Sequence, residues 1–213
     1  SRGLGDVYKR QADAAVAIAT INSTSTVKVG GSAQVNAGGA VNLTATNQVT
    51  AETVADATSG GSAAVGGTVA VTVLNSVTKA SIEDTSQTSS TALNVSADSK
   101  NTVTSTAKAA AEGATKQTAA QSAANPSETE KTLKDYKEEG KTSSGSVDVA
   151  AAVAVSSVNS QTRALISSTG TQVSTGLVNV SSLATSSSAV EADGTTIGDS
   201  ATVGVGAAAV SYT

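Results

Sequence analysis

The chain has 213 residues, 13 Lys and Arg against 17 Asp and Glu, and no His, Cys, Met, Trp or Phe. Without imidazole or thiol groups, histidine acid–base catalysis, thiol nucleophiles, disulfides and most zinc sites are closed off, and only Ser–Lys or paired-carboxylate chemistry stays open. The net charge of −4 argues against a nucleic-acid partner, which needs clustered Lys and Arg. No apolar run is long enough to span a bilayer.

Taken in order, the chain opens on Ser1-Arg2-Gly3-Leu4-Gly5-Asp6-Val7-Tyr8-Lys9-Arg10-Gln11, which reads as translated sequencing-adapter DNA. Val210-Ser211-Tyr212-Thr213 at the other end reads the same way from the complementary strand. Residues 1–11 and 210–213 are therefore set aside as non-native, and the natural protein is expected to continue past both ends. Without Arg2, Lys9, Arg10 and Asp6 there remain 10 basic and 16 acidic residues, a net charge of −6, and Tyr136 is the one aromatic side chain. An interior without Phe, Trp or Met must be filled by Val, Ala, Ile, Leu and Thr, which suits a narrow core.

The body of the chain repeats. Val16-Ala17-Ile18-Ala19-Thr20-Ile21-Asn22, Val69-Ala70-Val71-Thr72-Val73-Leu74-Asn75 and Val153-Ala154-Val155-Ser156-Ser157-Val158-Asn159 are near copies. A second landmark follows each at nearly constant distance: Val41-Asn42-Leu43, Leu93-Asn94-Val95 and Val178-Asn179-Val180. Between landmarks, alternating runs rich in Val and Thr are punctuated by Gly30-Gly31, Gly38-Gly39, Gly60-Gly61 and Gly66-Gly67, read as turns. The pattern predicts an all-β fold, a parallel β-solenoid (β-helix) built from three ~53-residue repeats. At roughly 18 to 20 residues per coil it predicts about three coils per repeat. Each repeat's first strand is expected to end at its Asn, with Val71, Val155 and Ile18 inside. A β-sandwich is the second reading and intrinsic disorder the third.

Residues 12–106 are assigned to the solenoid and 143–209 to its continuation. Residues 107–142 form an insertion that is rich in Ala, Gln and Lys before Asn125-Pro126 and strongly charged after it, so a helical hairpin or a partly frayed loop is expected there. Glu130 and Lys134 stand at helical i, i+4 spacing. Such inserts often carry the working face of a repeat protein.

Site chemistry is sparse. Carboxylates pair at Glu83-Asp84, Glu138-Glu139 and Glu191 with Asp193. The first and last read as turns and the middle as a helix face. No catalytic, cofactor-binding or metal-ligating residue is assigned. Four Asn-X-Ser/Thr triplets begin at Asn22, Asn42, Asn94 and Asn179, and their coincidence with the repeat favours a structural role, in turns or in stacked side-chain ladders, over sugar attachment. A Thr-lined ice-binding face would need the Thr residues in one register, which they do not keep between copies.

The stretches Val69 to Ile82 and Val153 to Ile166, with Ile197-Gly198-Asp199-Ser200-Ala201-Thr202-Val203, resemble repeats of filamentous-haemagglutinin-like and leukotoxin-family adhesins and of autotransporter passengers. The resemblance implies a secreted or cell-surface stalk, exterior to the bacterial outer membrane, with host-cell or matrix ligands bound elsewhere in the parent protein. It implies no enzyme activity and no cofactor. The fragment itself is expected to be monomeric. A polysaccharide-acting solenoid enzyme and a trimeric autotransporter head are the alternatives; the Ile197 to Val203 fragment resembles the latter.

Overall fold

The structure, a computed structural model, describes residues 10–60, 63–112, 148–196 and 202–213. Its elements are strands throughout: β1 (Arg10–Val29), β2 (Gln34–Asn36), β3 (Ala40–Gly60), β4 (Ala63–Ile82), β5 (Gln87–Ser90), β6 (Ala92–Glu112), β7 (Asp148–Ile166), β8 (Gln172–Ser174), β9 (Val178–Thr196) and β10 (Thr202–Tyr212). They form three parallel sheets, β1-β4-β7-β10, β2-β5-β8 and β3-β6-β9, hereafter sheets A, B and C. Each turn of the chain lays one strand on each sheet, so the fold is a parallel β-solenoid.

One repeat makes one coil. Asn22 pairs with Asn75 and Asn75 with Asn159 in sheet A, while Asn42 pairs with Asn94 and Asn94 with Asn179 in sheet C. The expected three short coils per repeat are thus replaced by a single broad one. The reason lies in the strands, which run 19 to 21 residues in the complete coils of sheets A and C. Between Ala40 and Ser59 no Gly or Pro breaks the alternation, and polar residues such as Asn47 and Thr53 are accommodated inside. The three Asn expected at strand ends sit mid-strand, and β1, β4 and β7 continue to Val29, Ile82 and Ile166. Gly30-Gly31 and Gly38-Gly39 do flank the short β2, whereas Gly66-Gly67 lies within β4. Ala107 to Glu112 of the expected helical insertion belong to β6, where Ala107, Ala109 and Ala111 fill the interior. The alternation that buries them has period two, which a helix cannot satisfy. The rest of that insertion, including Glu138-Glu139, lies outside the described residues.

The interior holds the opposite parity from the one expected. Val71, Val155 and Ile18 face outwards, and Ile18 is 69% exposed. Inside β4 stand Ala64, Ala70, Leu74, Ala80 and Ile82, with Thr68, Thr72, Ser76 and Thr78 between them. Alternation along a strand ties these choices together: Val71 shares its side of β4 with Asn75 and Lys79. Keeping the ammonium of Lys79 in water puts Val71 outside too.

The space between sheets A and C is graded in size. Next to sheet B, where three walls meet, Leu43, Ile82, Leu93 and Val95 pack together. Leu74, Val103 and Val158 fill the middle with Ala51. At the far end the fully buried apolar side chains are alanines, from Ala55 and Ala107 on one sheet to Ala70 and Ala152 on the other, with Val190 partly buried against them. There the backbones nearly touch: a Cβ on Gly66 would lie 2.8 Å from the Ala110 carbonyl oxygen. Small residues let the two sheets converge, so the coil tapers. Several buried hydroxyls and amides are tied across the gap. Thr72 Oγ1 donates to Thr53 Oγ1 at 2.7 Å and lies 2.6 Å from Ser105 Oγ. Asn47 Nδ2 donates to Ser76 Oγ at 3.1 Å, and Asn101 Nδ2 to Ser160 Oγ at 3.0 Å.

Candidate functional site

Two unlike outer faces and one charged corner are the places where this fold can meet other molecules. The corner is made where β4 turns into β5. Asp84 adopts φ 63° and its equivalent one coil earlier, Gly31, φ 69°, the left-handed region that Gly and Asp tolerate best. The Gly31 N–H donates to Asp84 Oδ2 at 2.8 Å. Lys28 reaches Glu83 and Asp84, each at 3.0 Å, and Lys79 pairs with Glu83. The Lys79 and Lys28 ammonium groups hold the Glu83 carboxyl down to about 2. The Gly31 amide and then Lys28 lower Asp84, and the two carboxylates raise Lys28. The corner therefore stacks one coil on the next with its charges already matched, so Glu83 and Asp84 are engaged in structure.

Glu191 and Asp193, expected in a turn, lie instead in β9 on the outer face of sheet C, in register with Thr106 and Lys108. That position is some 14 strand residues from the corner end of sheet C, a separation of roughly 45 Å. The two carboxylate pairs do not converge. Among the described residues no group of three or more His, Cys, Asp or Glu side chains is placed to hold a metal ion, and no helix is long and apolar enough to cross a membrane.

Of the glycosylation-type asparagines, Asn22, Asn42 and Asn94 stand in side-chain ladders within strands and not in turns. Asn75 Nδ2 donates to Asn22 Oδ1 at 2.9 Å and Asn94 Nδ2 to Asn42 Oδ1 at 2.7 Å. Stacked amides of this kind hold neighbouring coils in register. On the outer face of sheet C the Thr residues do not form a continuous ladder. Thr50 stacks on Thr102, but Thr46 meets Asp98, and Thr104 is flanked by Glu52 and Ala189.

Sheet C shows water a mixed polar surface: Thr46, Glu52, Asp56, Asp98, Lys100 and Lys108 alternate with the buried set. Sheet A does the reverse over half its length. From the tapered end, Val16 and Ile18 of β1, Val65, Val69, Val71 and Val73 of β4, Val149, Val153 and Val155 of β7, and Val203 and Val205 of β10 fall on one outer face. Val16 is 67% exposed, Val65 47% and Val205 52%. Beyond Asn75 the same face turns polar and basic, with Lys79 and Arg163 paired in register. Of this face, Val71, Val155 and Ile18 are the residues that the sequence pattern assigns to the core. The signal that would have placed them outside is their parity with Asn22, Lys28, Lys79 and Arg163.

Comparison with protein-family models, with curated proteins and with solved structures finds no match to this chain.

Proposed function

We propose that the chain is a structural or adhesive segment of a large exported bacterial surface protein, displayed outside the cell, with ligands of host cells or matrix engaged through other parts of the parent protein. The observation that carries this reading is the register: the first repeat closes one coil and its copy, 53 residues on in sheet A, stacks on it, Asn on Asn and corner on corner. Such a design extends by adding repeats and needs no convergent site. A polysaccharide-acting enzyme requires acidic groups gathered on adjacent coils, and Glu83 and Asp84 stand in the corner between β4 and β5 while Glu191 and Asp193 stand near the far end of sheet C. Nothing in the geometry calls for three chains, as a trimeric head would.

The test is to recover the flanking gene and tag the encoded protein next to this segment. The expected result is labelling of the tag on intact cells by an impermeant antibody. A tag reached only after lysis, or a reading frame belonging to an intracellular protein, overturns the proposal.

A further inference from the structure

The apolar half of sheet A's outer face is four strands wide and, among the described residues, carries no charged side chain between the Val65 and Val73 rows. Soluble monomers rarely leave a contiguous apolar patch of this kind in water. Four strands at ~4.8 Å and nine residues at ~3.3 Å give a face of about 19 by 30 Å. Two such faces pressed together cover roughly 1,100 Å² before side-chain relief is counted, enough for a specific interface by the ~1,000 Å² standard.

We propose that this valine face binds a second copy of the same chain, sheet A against sheet A, in an isologous pair. The chemistry of the face selects this occupant. It offers mostly β-branched and alanine side chains, with Gly67 among them and Ser157 and Ser211 at the margin nearest Asn75, and no aromatic anchor for sugar among the described residues. A second valine face, packed at the ~10 Å spacing of stacked sheets, matches it in shape and polarity.

The distribution of charge also selects the orientation. Lys28, Lys79 and Arg163 lie on the half of the face beyond Asn75. A twofold axis running along the strands would lay this basic, amide-rich half on its own copy and strip its water. A twofold axis parallel to the stacking direction, passing near Val69, superposes valine on valine and sends the two basic halves outwards in opposite directions. The two solenoids then run side by side with their coils ascending the same way. Sheets B and C and both stacking edges stay open, and each coil adds its own increment of contact. This inference does not rest on the adhesin reading; it would hold for any protein built on this fold.

The test is the mass of the full chain in solution at tens of micromolar, by sedimentation equilibrium. The expected value is twice the 20.5 kDa of one chain. Combining Val71→Lys with Val155→Lys should halve that mass while leaving the β-sheet circular dichroism unchanged. The near-isosteric pair Val71→Thr and Val155→Thr keeps the strand propensity and should weaken the dimer at least tenfold, which guards against a folding failure of the lysine variant. Thr104→Lys, on the polar face of sheet C, should stay dimeric. With no native Cys, a Val69→Cys variant should be joined to its twin by a short bis-maleimide, and a Lys79→Cys variant should not. A wild-type monomer, including one that binds phosphatidylcholine vesicles through the valines, overturns the proposal. So does a dimer that survives both Val71/Val155 pairs, or one cross-linked through position 79.

Discussion

At Asp84 the backbone holds φ 63° while the carboxylate accepts the Gly31 amide of the coil below. The neighbouring Glu83 is clasped by Lys28 and Lys79. Both carboxylates are stabilised in the charged form, Glu83 from its ordinary 4.5 down to about 2 and Asp84 below its ordinary 3.8. A lowered carboxylate pKa contributes stability that is fully present above the unfolded value and lost as pH falls through the folded one. Lys28, raised above 10.5, contributes in the opposite sense: fully below 10.5, and lost as pH climbs through its folded value. The corner is thus expected to be indifferent to pH from about 5 to 10 and to loosen on the acid side between about 4.5 and 2. Lys28 and Asp84 are exposed and Glu83 half-buried at the surface, so the effect is local. Amide hydrogen exchange should report it: protection of Gly31 falls over that acid window while protection of Ala70 and Leu74, mid-strand in β4, holds. In Glu83→Gln the component belonging to Glu83 should vanish.

Along a strand, alternation makes every side chain's placement follow from one. In β4 that placement leaves Leu74 with no exposure, packed among Ala51, Val103 and Val158, and Val71 on the outer face. Leu74→Ala should therefore cost about 2–5 kcal/mol, the usual range for a buried leucine cavity. Val71→Ala should cost no more than about 1 kcal/mol at concentrations where the chain is dilute. Urea unfolding at constant m-value measures both; equal costs would put the parity of β4 in doubt. The same contrast shows what could be read from the residues. The parallel solenoid and the pairing of Asn22 with Asn75 and Asn42 with Asn94 were legible, because repeated landmarks at fixed spacing must stack. The inner set was legible in principle, since Lys79 and Arg163 fix the parity of β4 and β7. Ranking Val above Ala and Thr as core formers hid it. Strand length was harder to read, because Asn47 and Asn101 look like turn formers until partners such as Ser23, Ser76 and Ser160 appear across the gap. Those partners are far away in sequence, and only closing the coil brings them together. The carboxylates failed as a site for a related reason. Glu83 found its cations on its own and a neighbouring strand, and Glu191 was carried to the far end of another sheet.

For the whole molecule, stability in a solenoid is the sum of coils and the interfaces between them. The chain between β6 and β7 tests that sum. Coils one and two are joined from Gly60 to Ala64 through three residues, and Glu112 and Asp148 are the register equivalents of Gly60 and Ala64. The same three-residue path, Gly-Ser-Ala, therefore spans from Glu112 to Asp148 without moving either strand. Replacing residues 113–147 with it should leave the circular dichroism and the single cooperative transition intact. A connection of 3 residues in place of 35 should also reduce the entropy of loop closure, a gain of up to ~2 kcal/mol if the tight turn is unstrained. A loss of several kcal/mol, or a split into two transitions, would mean that these residues contribute contacts the coils need. An unchanged or raised midpoint would mean that sheets A, B and C supply the fold's stability alone, and that this position accepts inserted sequence at little cost, as surface connections of repeat proteins commonly do.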